Sequence, residues 1–445
     1  MQTASERALV RALGVRSLTA SIVNMTIGAG IFVLPAVVAG GLGTAAPVAY
    51  ILCATLMALI VSCFAAAGSR VSLTGGLYAY VGVAFGPFVG FLAGVMYQLM
   101  AAFAVASVAS AFAGSIGAVW APVTTPPGRA VLLIVVIAVL AAVNVRGVRF
   151  GAWLVETATV AKLLPLVVLV AVGLWSVNPD YVKLPAFPAP SALGRTAIVL
   201  IFAFLGVEIA LVPSGEVRDS ARTVPRALFL ALATTTTLYL LIQRVAQGLL
   251  GPAIGDFASA PLAEAASRVL GSGGRLLMIG GAIVSMFGYV AGDMLGSPRS
   301  LYAFGRDGVL PAALARVHPR FHTPHVAIVV YAVLIAALAV SSSFTQLAIL
   351  ANVAALTLYL TCVAASYELQ RRDVRAGGTP FRLPGGPAVP ILAAMVILWL
   401  LSNATLRELA VEGLVVAAAS LFYYIRKTQT ANLSAAASDR SSRSW

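Results

Sequence analysis

The sequence predicts an all-α polytopic membrane protein of twelve transmembrane helices. Three observations predict it. Of 445 residues, 60% are hydrophobic and only 10% are charged, with a mean hydropathy of +0.97; a soluble domain carries about 25% charged residues. Apolar runs of about 20 residues, the length that crosses a hydrocarbon core, recur from end to end. No alternating strand-and-turn pattern competes, which argues against a β-barrel.

The spans fall at 17–38, 44–67, 86–115, 129–145, 153–175, 196–214, 226–247, 274–297, 326–342, 345–366, 388–404 and 408–425. The connections between them are short. Residues 1–16 read as a cytoplasmic N-terminal segment without a cleavable signal, and 426–445 as a disordered cytoplasmic tail. With both termini inside, cytoplasmic Lys and Arg outnumber those on the opposite side by about three to one, as the positive-inside rule asks. This orientation accounts for the formal charge of +14. It points the basic excess at anionic lipid rather than nucleic acid and implies an integral plasma (inner) membrane protein.

The first span contains a weakness. In "NMTIGAGIFVLP", Asn24 to Pro35, Gly28 and Gly30 interrupt an apolar run, although glycine costs a helix interior about 1 kcal/mol relative to alanine. A break at mid-membrane frees N–H and C=O groups, and such breaks survive only where they line a polar cavity or are buried in protein. Freed N–H groups at a helix end can hold a carboxylate, and freed carbonyls an ammonium or a cation. Close helix packing by small residues explains the glycines equally well. A second segment favours the binding reading. In "FAFLGVEIALVPSGEVRDSARTVPRA", Gly206 again interrupts an apolar run and Glu208 follows; a carboxylate at that depth faces the bundle interior or a cavity. Spans 1 and 6 each open a half of five helices. Paired breaks at matching places mark a transporter's central site, and an odd number of spans per half inverts one half relative to the other. The halves are 17–175 and 196–366, with 388–425 as two additional helices.

Three motifs, "GAGIF", "FAFLGVE…PSGEVRDSARTVPRA" and "SPRSLYAFGRDGVLP", make residues from about 15 to 425 resemble the amino acid–polyamine–organocation permeases. The resemblance implies the leucine-transporter-type five-plus-five inverted repeat with broken helices 1 and 6, alternating access, and an amino acid substrate. It implies that backbone N–H groups from Ile27 through Gly28 and Ala29 to Gly30 hold the substrate carboxylate, beside Thr26. It implies that carbonyls near Met25 and along Phe202, Ala203, Phe204 and Leu205, up to Gly206, hold the ammonium. Phe202 or Phe204 would cover the substrate, where many members carry tryptophan. Lys162 stands about nine residues, about 14 Å, from the cytoplasmic end of span 5. In sodium-independent members a lysine there is thought to replace a bound sodium ion. A desolvated lysine can also exchange a proton, and a partial snorkel is the plain alternative.

Asp293 in span 8 reads three ways: it binds a cationic side chain of the substrate, pairs with Lys162, or is a hydrogen-bonded helix-end aspartate. Tyr97 in span 3 is a candidate cavity residue. With Glu208 and Lys162 as coupling groups, the expected function is sodium-independent, proton-coupled amino acid transport, with amino acid or polyamine exchange as the alternative. No charge ring or filter loop supports a channel. No HExxH, GxSxG or GxxxxGK[ST] pattern supports an enzyme or an ATP-driven pump, and no cofactor is expected. The histidines of "HPRFHTPH" (His318, His322, His325) read as a proline-bearing loop rather than a metal site, and Cys53, Cys63 and Cys362 as small apolar residues.

Overall fold

The structure, a computed structural model, describes residues 14–71, 76–146, 162–183, 187–208, 211, 217, 219–306, 310–375 and 379–442, with side chains as far as 425 and Ser220 excepted. Residues 1–13 of the N-terminal segment, the first part of the fifth span and most of 209–218 lie outside the described residues.

The first span is two helices. α1, Val15–Thr26, ends where the Ile27 N–H makes its last helical bond to the Val23 carbonyl; α2, Gly30–Leu42, starts afresh three residues on. Gly43, with φ +56°, turns the chain into α3, Ala46–Gly68. A short helix, α4, Leu77–Phe85, comes before α5, Pro87–Gly117, and α6, Pro126–Arg146. Sequence reading missed α4 because its nine residues are too few to span. α7 covers Lys162–Ser176.

α8, Pro190–Leu200, tightens into a 3₁₀ turn over Ile201–Phe204 and then leaves the helix, with Leu205 extended. α9 is Ser220–Leu250. α10, Pro261–Arg306, is kinked at Gly271, φ +63°. α11, His325–Ser341, is followed directly by α12, Phe344–Arg371, which a Ser343–Gln346 capping box starts. α13 and α14 cover Ala388–Leu401 and Leu406–Ser442. α14 runs on through most of the stretch expected to be a disordered tail. After Gly413 the chain has no glycine or proline to stop it, and its alanines favour helix.

Seven stretches among the described residues are helical, long and apolar enough to cross a membrane, and four shorter apolar helices accompany them. α5 and α12 form the buried centre. Ala101, Ala102, Ala104, Ala106 and Ala109 on α5 let its neighbours approach closely, which matters in lipid because hydrophobicity alone does not drive helices together. α6 and α11 turn Val131, Ile134, Val329 and Val333 outward.

Polar side chains fix α8 between its neighbours. Arg195 grips both oxygens of Glu408 on α14, at 3.1 Å each, and the Asn403 carbonyl at 3.2 Å. Asn352 on α12 donates to the carbonyls of Ile198 and Val199 at 2.7 and 3.2 Å. The end of α8 is thereby tied to α12, and its middle to α14.

Candidate functional site

The two breaks meet. Gly206, at φ +108°, lies so close to the end of α1 that a Cβ there would sit 2.6 Å from the Met25 carbonyl oxygen and 3.0 Å from the Thr26 nitrogen. A Cβ on Gly30 would likewise stand 3.0 Å from the Ala203 Cα. A side chain on Gly206 would clash, one on Gly30 would be tight, and the φ of Gly206 is one that glycine takes without strain. The Tyr239 hydroxyl on α9 lies 3.0 Å from the Thr26 carbonyl and 2.8 Å from the Ala203 carbonyl, so one proton bridges both broken segments.

Backbone bonding decides which groups stay available. Ile27 donates to Val23, and Gly28 donates to the Thr26 carbonyl at 2.9 Å. The resemblance put a carboxylate on N–H groups from Ile27 to Gly30, and the first two are already used within the turn. Ala29, Gly30 and Ile31 have no acceptor for their N–H groups among the described residues, as expected of the first turn of a helix. These three donors and the positive end of the α2 dipole suit an anion.

Among the carbonyls, Phe202 accepts from Leu205, Ala203 faces Tyr239, and Asn24 accepts from Lys162. Those of Met25, Phe204 and Leu205 have no donor among the described residues. An anion cradle and three free acceptors therefore lie on segments that touch, the pairing a zwitterion needs.

Ionisable groups stand on either side. The Lys162 ammonium, with the residue only 6% exposed, donates to the Asn24 carbonyl and so places its charge at the negative end of α1. Glu208, 1% exposed, accepts the Gly206 N–H on both oxygens, at 3.0 and 3.1 Å, and the Tyr359 hydroxyl at 2.6 Å. Lys162 and Glu208 form no ion pair with each other; each is tied to a different break.

Asp293 is held elsewhere. Ser297 donates to one oxygen and Tyr331 of α11 to the other, both at 2.7 Å, and no ion pair joins Asp293 to Lys162. Asp293 thus has two hydrogen-bond donors, as the third reading has it, but it lies inside α10 and not at a helix end. Tyr97, half-buried on α5, lies within Coulombic reach of both Glu208 and Asp293, as does Tyr289 of α10. Tyr289 places its ring 3.7 Å from where a Gly28 Cβ would be. Phe202 meets Phe344 edge-on at 5.4 Å, and Phe204 packs wholly buried against Tyr239 at 5.5 Å. Phe204 is therefore part of the brace. In the histidine loop, His318 Nδ1 accepts backbone N–H groups from Arg320 and Phe321.

Sequence reading missed Tyr239, Tyr289, Tyr359 and Asn352. A faint signal existed for the first: Tyr239, Gln243 and Gln247 recur every four residues on one face of an apolar helix. Tyr50 donates to Gln243, Gln243 to Gln247, and Gln247 to the Gly43 carbonyl. This buried ladder continues from Tyr239 along α9 to the end of α2.

Seven apolar stretches among the described residues are long enough to cross a membrane, and beside them two broken segments meet backbone to backbone, a pairing that marks a transporter's central site. The chain matches the family model described as amino acid permease over residues 13–424 and belongs to that family, within the amino acid–polyamine–organocation permeases. It is 32% identical over 407 residues to an uncharacterized transporter of Mycobacterium tuberculosis, covering 83% of this chain and 88% of that one. It is 28% identical over 415 residues to the methylthioribose transporter of Bacillus subtilis, covering 88% of each chain. It is 26% identical over 401 residues to the serine/threonine exchanger of the same organism, covering 87% of this chain and 90% of that one.

Proposed function

We propose that this permease is a secondary transporter that moves amino acids by alternating access, without sodium and coupled to protons. The observation that carries it is the contact between the breaks: N–H groups of Ala29, Gly30 and Ile31 and carbonyls of Met25, Phe204 and Leu205, none with a partner among the described residues, lie on segments that touch. A substrate carboxylate takes the first set and its ammonium the second. The fold is read as twelve spans, 17–175 and 196–366 being inverted halves and 388–425 an added pair. Both termini are cytoplasmic and the membrane is the plasma (inner) membrane.

Lys162 supplies the charge that a sodium ion would otherwise bring to the Asn24 carbonyl. Glu208 couples the proton. Its present partners all donate to it, so a proton on either oxygen replaces an acceptor by a donor and weakens its hold on Gly206 or Tyr359. The broken segment of α8 then loosens from α12. Purified protein in proteoliposomes tests this: an acid exterior should drive accumulation of amino acid in empty vesicles, and a sodium gradient should not.

A second reading is obligatory exchange, favoured by the fixed Lys162–Asn24 contact and by the serine/threonine exchanger among the relatives. The methylthioribose transporter widens the substrates worth screening to thioether sugars, which carry neither a carboxylate nor an ammonium. Binding that follows the zwitterion keeps the proposed assignment of the backbone groups; binding of the sugar alone removes it.

A further inference from the structure

A groove of about 860 Å³ opens at the start of α9, away from the breaks, lined by Arg222, Pro225, Arg226, Phe229, Leu230 and Phe381. Its wall is divided by chemistry. Arg222 and Arg226 are exposed and lie one turn apart on the same helix face. Arg222 has only a loose 3.9 Å contact with Asp219, both side chains being more than half exposed, and Arg226 has no carboxylate partner among the described residues. The remaining wall is apolar. The rings of Phe229 and Phe381 stand 6.1 Å apart, and Leu230 is 53% exposed. The Phe381 N–H donates to Ser69 Oγ at 3.0 Å, which fixes this side of the groove to the end of α3.

We propose that this groove binds an anionic phospholipid, its phosphate on Arg222 and Arg226 and an acyl chain along Phe229, Leu230 and Phe381. Charge complementarity selects this occupant. A guanidinium fork matches a phosphate, and the apolar surface begins one turn further into the helix, where the hydrocarbon begins. A zwitterionic lipid would bring a choline ammonium beside two arginines. The chain's own N-terminal segment carries Arg7 and Arg11, the same sign as the groove. Which leaflet supplies the lipid rests on the proposed cytoplasmic termini; the binding itself does not, nor does it depend on what the central site carries.

The test is thermal unfolding of the purified full chain in detergent with added phosphatidylglycerol, phosphatidylcholine or inorganic phosphate. Native mass spectrometry of the same samples counts retained lipid. Phosphatidylglycerol should raise the midpoint and stay bound, while phosphatidylcholine and inorganic phosphate should do neither. Arg226→Gln and Arg222→Gln should each weaken the phosphatidylglycerol response about fivefold. Arg407→Gln, an exposed arginine at the start of α14, should leave it unchanged. Equal responses to the two lipids, a response to inorganic phosphate alone, or a wild-type response from Arg226→Gln would each overturn the proposal. Arg226 is exposed and makes no ion pair among the described residues, so its replacement removes no contact that holds the fold.

Discussion

Gly206 and Met25 touch backbone to backbone: a Cβ on Gly206 would lie 2.6 Å from the Met25 carbonyl oxygen. Two helices that each gave up their hydrogen bonds in mid-span thus lie against one another, and Tyr239 ties their loose ends.

The contact ranks three substitutions. Gly206→Ala must both clash and hold φ +108°, at a cost of about 1–3 kcal/mol for the backbone strain alone. It should lower the thermal midpoint and abolish substrate binding. Gly30→Ala, 3.0 Å from Ala203, should be intermediate, and Gly28→Ala, 3.7 Å from Tyr289, nearly neutral for stability. Midpoints in the reverse order would show that the close approach is not what the glycines serve.

Tyr239→Phe removes the hydroxyl between the Thr26 and Ala203 carbonyls and leaves the ring's contact with Phe204. Buried interhelical bonds in membranes average about 0.6 kcal/mol and reach about 1.7. A loss in that range is expected in denaturant titration, together with slower uptake. Unchanged uptake would mean that the brace is dispensable.

How much of this was legible in the sequence depends on the residue type. The breaks could be read because glycine is costly inside an apolar helix, so Gly28, Gly30 and Gly206 stood out. Lys162, Glu208 and Asp293 stood out because charge is costly there. The braces could not be read. A tyrosine in a buried span packs like phenylalanine until its hydroxyl is seen to reach a carbonyl, and Tyr239, Tyr331 and Tyr359 differ from their apolar neighbours only by that atom. Which of the four N–H groups from Ile27 to Gly30 stay free was also hidden. It depends on the turn by which Gly28 reaches back to Thr26, and three-dimensional geometry alone shows that.

Asp293→Asn tests the role that the hydrogen bonds give Asp293. If it serves Ser297 and Tyr331 rather than a cationic substrate, neutral and cationic amino acids should lose affinity alike. Isothermal titration with alanine and lysine decides it. A selective loss for lysine, of the roughly 1.5–3 kcal/mol that a charge-assisted bond supplies, would return Asp293 to the substrate.

Glu208→Gln keeps the size of the side chain and removes its titration. Uptake by the wild type should rise as the outside pH falls, because protonation accompanies entry. Uptake by the variant should be flat across the same range, with exchange between preloaded and external substrate retained. Tyr359→Phe, which deletes the 2.6 Å donor to Glu208, should shift the wild-type profile rather than flatten it. A wild-type profile in Glu208→Gln would move the coupling to another group, Lys162 first.

The central claim is that a zwitterion held between the two breaks is carried with a proton. Wild-type protein in empty proteoliposomes tests it most directly, with labelled amino acid outside and an acid exterior. The account predicts accumulation above equilibrium that a protonophore abolishes and a sodium gradient does not change. Uptake only into preloaded vesicles, insensitive to the protonophore, would contradict proton coupling, and uptake driven by sodium at fixed pH would contradict the role given to Lys162 as well.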